Sequence, residues 1–449
     1  MSGDFGREKD IVWDLVAQAQ RRGARAAEAY FSEEEETGIE VRDQKVEDLK
    51  IAREQGVGLR VLMGRQPGFA YTTDLSGDGL VRLVEEALAN AAAASEDPYQ
   101  VLPGPAVYPE NLDLYDPSLE RTPPDAKVEL ALRLEQAGRS LDPRVRLTET
   151  ASYEESRYRV VLANSNGLLA AYRGAHCGLS AVFVAAQDGD HETGFAFQYR
   201  TRYADLDPEG VGRQAASRAV EMLGARPITP RRATVVMDPY VAINFLGLLI
   251  PSFSADAVQK GRSLLADKRG RKVAGGAVTV VDDGLLPGGL ASAPFDGEGV
   301  PCRRNLLLEA GIVSNFMHNS YTAARAGEET TGNAARGSFR SLPGVGTTNC
   351  YLQPGGEHPA ALIRGVGSGL YLTEVLGMHT ANPVSGDFSV GAAGRLIENG
   401  ELTAPVRGIT VAGNILEWLG AIEACGRDLT FLGSTGAPTI LVGRLTVSG

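Results

Sequence analysis

Metal binding is the first chemistry to weigh, because histidine and carboxylate side chains are the ligands that a catalytic zinc ion prefers. The chain has five histidines, and they are scattered along its length: His176, His191, His318, His358 and His379. A zinc helix of the HExxH or HExxxH type needs two imidazoles on one face with a glutamate between them. His191 and Glu192 begin such a motif, but Phe195 and Ala196 occupy the positions where a second histidine would stand. The spacing therefore predicts no zinc helix of this kind.

Carboxylates and thiols offer the other candidates for catalysis. Asp296 and Glu298 lie two residues apart among glycines, a pattern that suits cation ligation, acid–base catalysis or a simple turn. Cys350 lies on a predicted strand with no histidine near it in sequence, which favours a buried structural cysteine over a nucleophile. The sequence has neither a GxSxG elbow nor a glycine-rich phosphate-binding loop. No catalytic constellation is recognisable, and a turn is the favoured interpretation of the two acids.

The overall charge and the hydrophobic pattern argue against several classes of protein. Lys and Arg total 44 against 56 Asp and Glu, a net charge of −12, which disfavours nucleic-acid binding. The longest nearly apolar run, residues 241–253, has about 13 residues and is short of the ~20 that span a bilayer. The four cysteines are far apart, and the first residues lack the apolar core of a secretory signal. These features predict a cytoplasmic protein with reduced thiols.

Two runs of like charge stand out in the sequence. Residues 33–36 are four consecutive acids, and residues 268–272 contain four basic residues in five. A site for a cation or a basic partner is one interpretation of the acidic run. A solvated turn is the favoured prediction for both runs, because like charges repel one another and prefer water.

The order of helices and strands predicts an α+β fold with two domains, antiparallel sheets, segregated helices and a β-rich C-terminal half. Apolar periodicity predicts the main helices at residues 9–22, 80–94, 124–139, 210–223, 240–250 and 413–424. The segment 224–230 carries two prolines, and we predict that it separates a domain of residues 1–226 from one of residues 231–449.

Short alternating segments predict the strands. In the first half these are residues 29–32, 38–42, 47–53, 58–62, 147–154, 157–163, 178–186 and 194–201. In the second half, Asn399 and Gly400 separate two such segments, and Asn-Gly is the strongest two-residue signal for a hairpin.

A series of glycine-rich strings in the second half carries a resemblance to a known family. The strings follow one another in this order: SAPFDGEGVP at 292–301, YTAARAG at 321–327, TGNAAR at 331–336, NPVSGDFS at 382–389, LIENG at 396–400 and PVRGITVAGN at 405–414. Each is unspecific alone, but in this order they resemble the PmbA branch, also called TldE, of the TldD/PmbA family. In that family the TldD branch carries an HExxxH zinc helix and the PmbA branch lacks it.

The resemblance also indicates where the missing zinc helix would lie. Residues 279–284 resemble a landmark that follows the helix in the family, and counting back from it reaches residues 246–251. The two histidines then correspond to Leu246 and Pro251, and the glutamate corresponds to Gly247. Residues 241–250 are apolar nearly all round, which predicts a helix buried on every side.

This resemblance implies a non-catalytic subunit that carries no cofactor of its own. Members of the two branches form a heterodimeric peptidase that degrades or matures unfolded and extended peptides. The expected partners are therefore a TldD-type metallopeptidase subunit, which would hold the zinc, and an extended peptide, in a cytoplasmic dimer. Neither nucleic acid nor a membrane is expected as a partner.

Two alternatives remain open at this point. The chain could hydrolyse peptides alone through Asp296 and Glu298 or through a thiol such as Cys350. It could also be a homodimeric binding or regulatory protein, in keeping with an older label that links the family to DNA gyrase. The acidic isoelectric point of about 5.1 argues against direct contact with DNA.

Overall fold

An antiparallel sheet of six strands forms the centre of the N-terminal half. The computed structural model describes residues 5–110 and 112–449 of the chain. The strands of this sheet are β1 Ala26–Arg42, β2 Lys45–Met63, β3 Gln66–Thr72, β4 Val145–Asn164, β5 Leu169–Gln187 and β6 Asp190–Arg200. They lie in the order β3-β2-β1-β4-β5-β6, so β6 forms one edge of the sheet.

The helices of this half cover one face of the sheet. They are α1 Gly6–Arg21, α2 Gly77–Ala93, α3 Pro117–Arg121, α4 Pro124–Arg139 and α5 Pro208–Glu221, with a 3-10 turn at Tyr203–Asp205. Side chains alternate between the two faces along a strand. Phe31 and Val161 therefore pack against α1 and α2, and Tyr153 and Phe183 pack against α4 and α5. The opposite face of the sheet is the one that meets the C-terminal half.

Several strands are longer than the sequence pattern predicts. The four segments predicted within residues 29–62 are two long strands, β1 and β2, and the two predicted within residues 147–163 are the single strand β4. The acidic run 33–36 lies inside β1, so the predicted turn is wrong there. Backbone pairing with β2 and β4 on both sides outweighs the poor strand propensity of consecutive glutamates. The basic run 268–272 does lie in a largely exposed loop.

Two six-stranded sheets enclose one continuous core in the C-terminal half. The first contains β7 Arg231–Met237, β14 Ser368–Leu376, β15 Asp387–Glu398, β16 Glu401–Asn414, β17 Ile422–Cys425 and β20 Ile440–Ser448. The second contains β8 Val280–Asp283, β9 Arg304–Glu309, β10 Ile312–Val313, β13 Asn349–Leu352, β18 Thr430–Leu432 and β19 Thr435–Ala437. A small pair, β11 Ala334–Ala335 and β12 Gly344–Val345, lies apart.

The strand orders are β16-β15-β14-β7-β20-β17 and β10-β9-β8-β13-β19-β18, so β18 is an edge strand. Most neighbours are antiparallel, although β7 with β14 and β13 with β19 are parallel pairs. The predicted α+β class with antiparallel sheets and segregated helices is confirmed. The predicted boundary between residues 226 and 231 falls between the first sheet and β7, and the division into two domains stays a prediction.

Short helices connect these sheets. They are α6 Pro239–Leu249, α7 Ala255–Gln259, α8 Ser320–Ala326, α9 Pro359–Arg364 and α10 Ile415–Gly420, with 3-10 turns at Ile250–Phe253 and Met378–Thr380. The helix predicted at 413–424 is shorter because residues 422–425 pair with β20 as strand β17. In the part of the chain that the structure describes, no helix is both long and apolar enough to cross a membrane.

The predicted Asn-Gly hairpin is confirmed. Asn399 and Gly400 connect β15 to β16 with φ angles of 54° and 80°, the left-handed conformations that a type I′ turn requires at both positions. Glycine adopts such angles without steric cost, and asparagine tolerates them better than most residues.

A chain of buried charges joins the two halves of the molecule. Arg60 Nη2 on β2 lies 3.0 Å from Glu28 Oε2 on β1 and 3.4 Å from Glu298 Oε1 in the C-terminal half. Arg336, also from the C-terminal half, pairs with the other oxygen of Glu28, and all four side chains are almost fully buried. Because buried charges are stable only when paired, this arrangement favours one position of the halves relative to each other.

Candidate functional site

Helix α6 and the 3-10 turn after it contain residues 246–251, the segment that the family resemblance predicts to correspond to the zinc ligands of the TldD branch. The start of the helix is well defined, because the Asp238 carboxylate accepts a hydrogen bond from the Tyr240 backbone N–H at 3.0 Å and Pro239 occupies the first helical position. The helix ends at Leu249, where the chain tightens into the 3-10 turn with Pro251. The segment is therefore helical up to its last residues.

The three candidate positions differ in their surroundings. Leu246 is fully buried in the C-terminal core, whereas Gly247 and Pro251 are exposed. The prediction that the helix is buried on every side is therefore wrong. Tyr240, Asn244, Gly247 and Pro251 are spaced four, three and four residues apart, so they lie on the same face of the helix. Tyr240 and Asn244 are partly exposed on this face.

None of the three side chains carries an atom that can bind a metal ion. Zinc binds thiolate, imidazole or carboxylate ligands, and leucine, glycine and proline offer none of these. Among residues 5–110 and 112–449, no group of three His, Cys, Asp or Glu side chains is arranged to hold a metal ion. A zinc ion therefore does not fit this segment, and the lack of a metal in the whole chain stays a prediction.

Asp296 and Glu298 lie at the junction of the two halves. One Asp296 carboxylate oxygen accepts the N–H groups of Glu298 and Val300 at 2.9 and 3.0 Å, and the other accepts that of Ala334 at 2.9 Å. Glu298 accepts the Ser320 N–H at 2.8 Å and pairs with Arg60. Burial, and next the charge of Glu298, raises the pKa of Asp296 to about 7. These contacts tie loops together, and a catalytic role for either acid stays a prediction.

Cys350 is a fully buried residue of β13, as its sequence context favours. Burial raises the pKa of its thiol well above the usual value, and the neighbouring Asp282 raises it further. The thiolate is the nucleophilic form, so a cysteine in this environment is poorly suited to attack a carbonyl group.

A cleft with a volume of about 590 Å³ lies between two sheet edges. Strand β6 of the N-terminal sheet forms one wall, and β18 of the C-terminal half forms the other. The loop 286–290 and the beginning of α5 close its ends. An edge strand has backbone N–H and C=O groups without a strand partner on its outer side. The cleft therefore offers two such edges to an extended chain.

Aromatic side chains on β6 are site residues that the sequence analysis missed. Phe195, Phe197 and Tyr199 alternate along the strand and point to the same face, and the last two line the cleft. Tyr240 of α6 packs edge-on against Phe195 at 4.5 Å between ring centroids and also approaches Phe197 at 6.2 Å. The available signal was the aromatic residue at every second position, which is typical of one face of a strand. The contacts connect helix α6 with the cleft.

Comparison with known protein families identifies the chain. Three domain descriptions of PmbA/TldA metallopeptidases match it in order: domain 1 at residues 27–91, the central domain at 117–223 and the C-terminal domain at 230–449. Together they cover most of the sequence. The chain belongs to the PmbA/TldD family.

Relatives within the PmbA/TldD family agree with the PmbA branch. The metalloprotease PmbA of Escherichia coli is 31% identical over 420 residues, which cover 92% of this chain and 90% of the relative. The metalloprotease PmbA homologue of Haemophilus influenzae is 29% identical and covers 98% and 96%. A TldD homologue from the same organism is 26% identical over 98% and 95%.

Solved structures of the PmbA/TldD fold superpose closely. A Thermotoga maritima protein described as a candidate modulator of a DNA gyrase gives a TM-score of 0.91 at 29% identity, covering 98% of this chain and 100% of that one. TldE from Thermococcus kodakarensis gives a TM-score of 0.91 at 23% identity over 98% and 100%, which supports the fold alone.

Proposed function

We propose that this chain is the non-catalytic subunit of a cytoplasmic peptidase and pairs with a TldD-type zinc metallopeptidase. The complex would degrade or mature unfolded and extended peptides, and the zinc ion would belong to the partner subunit. The observation that carries the proposal is the composition of the zinc-ligand segment, where Leu246, Gly247 and Pro251 replace two histidines and a glutamate. Their side chains cannot hold a zinc ion or act as the general base beside it.

Metal analysis of the purified chain tests the first part of this proposal. We expect elemental analysis to find zinc well below one ion per chain, because the family's ligand positions have lost their donor atoms. The TldD-type protein from the same source, purified identically, is the control and should retain zinc. Stoichiometric zinc that survives dialysis against a chelator in this chain would overturn the proposal.

The cleft between β6 and β18 supports a role in holding the peptide. An extended peptide can add to a free strand edge through backbone hydrogen bonds, which are independent of sequence, while side-chain pockets select residues. The aromatic rings of Phe197, Tyr199 and Phe431 line this cleft and offer apolar surface to the side chains of such a peptide. In the complex, this chain would present the peptide and the partner would cut it.

Co-expression with a TldD-type protein tests the pairing. We expect both chains to elute together in gel filtration at the mass of a heterodimer and to cleave an unfolded peptide only together. Each chain alone serves as the control. Two separate peaks would contradict the pairing, and a homodimer of this chain that ignores the partner would favour the binding or regulatory alternative.

The alternative of an independent hydrolase has less support. The carboxylate oxygens of Asp296 accept three backbone hydrogen bonds, and the buried Cys350 thiol holds its proton tightly. Peptidase activity of the isolated chain that disappears in Cys350→Ala or in Asp296→Asn would revive this alternative.

A further inference from the structure

The acidic run 33–36 alternates between the two faces of the N-terminal sheet. Glu33 and Glu35 point to the face that carries the helices, and they pair with Arg53 and Arg157. Glu34 and Glu36 point to the opposite face, and neither makes an ion pair with a described residue; Glu34 accepts only the hydroxyl of Ser156, at 2.6 Å. The charges of Glu33 and Glu35 are thus balanced by arginines of the same sheet, whereas those of Glu34 and Glu36 are not.

We call the face that bears Glu34 and Glu36 the open face. The register of the strands aligns Glu34 with Tyr158 and Gly174, and Glu36 with Ser156 and His176. The next row aligns Gly38 with Glu154, Gly178 and Tyr199. The C-terminal half covers this face around Tyr30 and Val160, where Phe295 and Phe339 pack, and again at Phe195 and Phe197, where Tyr240 packs. The remainder is a groove floored by small residues, with Glu34, Glu36 and Glu154 on its walls and Lys50 beside Gly38.

The open face is continuous with the cleft between β6 and β18. Tyr199 lines that cleft and also a second cavity of about 280 Å³, which contains Glu36, Glu154 and His176. The Tyr199 hydroxyl donates to Glu154 Oε2 at 3.4 Å. A chain that leaves the cleft past Tyr199 therefore runs directly onto the acids of the open face.

Tyrosine hydroxyls form a pocket at the other end of the open face. Tyr30, Tyr158 and Tyr172 line a cavity of about 180 Å³ that Glu34 also lines. Tyr30 is 7% exposed, yet none of the three hydroxyls hydrogen-bonds with another group in the described part of the chain. Burial raises the pKa of Tyr30 and of Tyr158 to about 12, so both remain neutral hydroxyls. Tyr30 is buried and Tyr158 and Tyr172 are half-buried, so their hydroxyls face the pocket and can hydrogen-bond to a ligand there.

The charges that line this tyrosine pocket leave one acid unmatched. Arg336 pairs with Glu28, and Arg159 lies 3.3 Å from Glu8. Three acids line the tyrosine pocket, and two of them form ion pairs: Glu33 with Arg53 and Glu54 with Arg340. The third acid is Glu34, which has no ion-pair partner among the described residues. Glu34 keeps a net negative charge beside aromatic rings and hydroxyl oxygens. An ammonium or guanidinium group complements such a surface through its charge, its donors and its attraction to aromatic faces.

We propose that the open face is a docking groove for the lysine or arginine side chains of an extended peptide, with Glu34 and Glu36 as the selecting acids. This inference rests on the proposed peptide-handling function and adds a substrate preference to it. The acidic groove repels phosphate groups, so nucleic acid is not the occupant. A metal ion is also not the occupant, because the described acids and histidines include no group arranged to ligate one.

Fluorescence anisotropy with the isolated full chain tests the groove. The probes are unstructured peptides of equal length that carry lysine, glutamine or glutamate at the same positions. We expect the lysine peptide to bind most tightly, and its affinity to fall as salt is added. The double variant Glu34→Gln, Glu36→Gln should bind the lysine peptide about threefold to tenfold more weakly while the glutamine peptide is unaffected. Both substitutions keep the size of the side chain and one oxygen acceptor, which suffices for the hydrogen bond from Ser156, so the fold should persist.

The matched control is Glu86→Gln, Glu129→Gln, which removes two exposed charges from helices α2 and α4 on the other side of the sheet. This variant should bind all peptides as the wild type does. Equal affinity for the three peptides, no detectable binding, or equal losses in both double variants would overturn the inference.

Failure of the inference and failure of the proposed pairing can be told apart. Separate gel-filtration peaks with a TldD-type protein would end the pairing but leave the charge preference measurable on the isolated chain. If Glu34→Gln, Glu36→Gln abolished co-elution and left peptide affinity unchanged, the open face would be a surface for the partner, and the inference would be wrong.

Discussion

Asp296 illustrates how a single residue can be well bonded and still electrostatically costly. Its oxygens accept three backbone N–H groups, and each of these bonds lowers its pKa, yet burial and the nearby Glu298 outweigh them. Desolvation destabilises the charged form of a buried carboxyl group by more free energy than hydrogen bonds from a few neutral donors contribute. The pKa of about 7 therefore reflects its position between the two halves of the molecule.

The stability of the protein should depend on pH through this residue. An ordinary carboxyl group loses its proton near pH 3.9 in the unfolded chain, whereas folded Asp296 keeps it up to about pH 7. The folded state thus binds more protons across that window. Its free energy of unfolding should fall as pH rises, by at most about 1.4 kcal/mol per pH unit from this group.

Urea unfolding at several pH values between these limits measures the effect. We expect Asp296→Asn to flatten the decline seen in the wild type, whatever its effect on absolute stability. The surface variant Glu129→Gln should keep the wild-type slope. Parallel curves for Asp296→Asn and the wild type would contradict the assignment.

At the scale of elements, helix α6 has two surfaces of different character. Its buried side contains Phe245, which stacks on Trp418 at 5.3 Å and meets Phe388 edge-on at 5.0 Å, together with Leu246. Its other side exposes Gly247 and Pro251. The positions predicted to correspond to the zinc ligands are thus divided between the core and the surface. The helix itself is held by packing and by its Asp238 cap.

Two substitutions in α6 should have opposite effects on stability. Gly247→Ala should stabilise the protein by up to about 1 kcal/mol, because alanine is the better helix former and a Cβ there would meet open space. Leu246→Ala should cost about 2–5 kcal/mol, because it leaves a cavity in the core. Urea denaturation of both variants checks the pair. A destabilising Gly247→Ala would indicate that this face of the helix is covered by another group.

The whole molecule is held together by the charges between its halves. Glu28 and Arg60 come from the N-terminal sheet, and Glu298 and Arg336 come from loops of the C-terminal half. Phe339 packs over Gly56 and Gly58 beside them, where any side chain would clash with it. Removing one partner leaves a buried charge uncompensated, which is far more costly than losing a surface pair.

The two tryptophans allow this coupling to be measured, because Trp13 lies on α1 and Trp418 lies in the C-terminal core. Trp13→Phe and Trp418→Phe each leave one reporter, and we expect both to detect the same unfolding midpoint. Arg60→Ala should lower the free energy of unfolding by about 3–5 kcal/mol with either reporter. Arg340→Ala breaks an exposed pair with Glu54 and should cost at most about 1 kcal/mol. A loss seen by one reporter alone would mean that the halves unfold independently.

Local sequence signals predicted individual helices and turns well where the structure depends on residues that are close together in the sequence. The helix at residues 124–139 has the predicted bounds, since its proline start and apolar stripe are properties of those residues. The Asn-Gly hairpin is correct for the same reason. Strand lengths were underestimated at residues 33–36 because the partners that stabilise β1 come from residues 45–63 and 145–164. No local propensity contains that information.

The sequence by itself determined the family resemblance, the α+β class and the absence of metal-binding side-chain atoms at Leu246, Gly247 and Pro251, because these depend only on the order and type of residues. Tertiary structure decided which of these positions are buried and which acids are neutralised. It also brought Tyr199 of β6, Glu36 of β1 and Glu154 of β4 around one cavity. The physical reason is that burial and charge pairing are set by neighbours distant in sequence, and only folding brings those neighbours together.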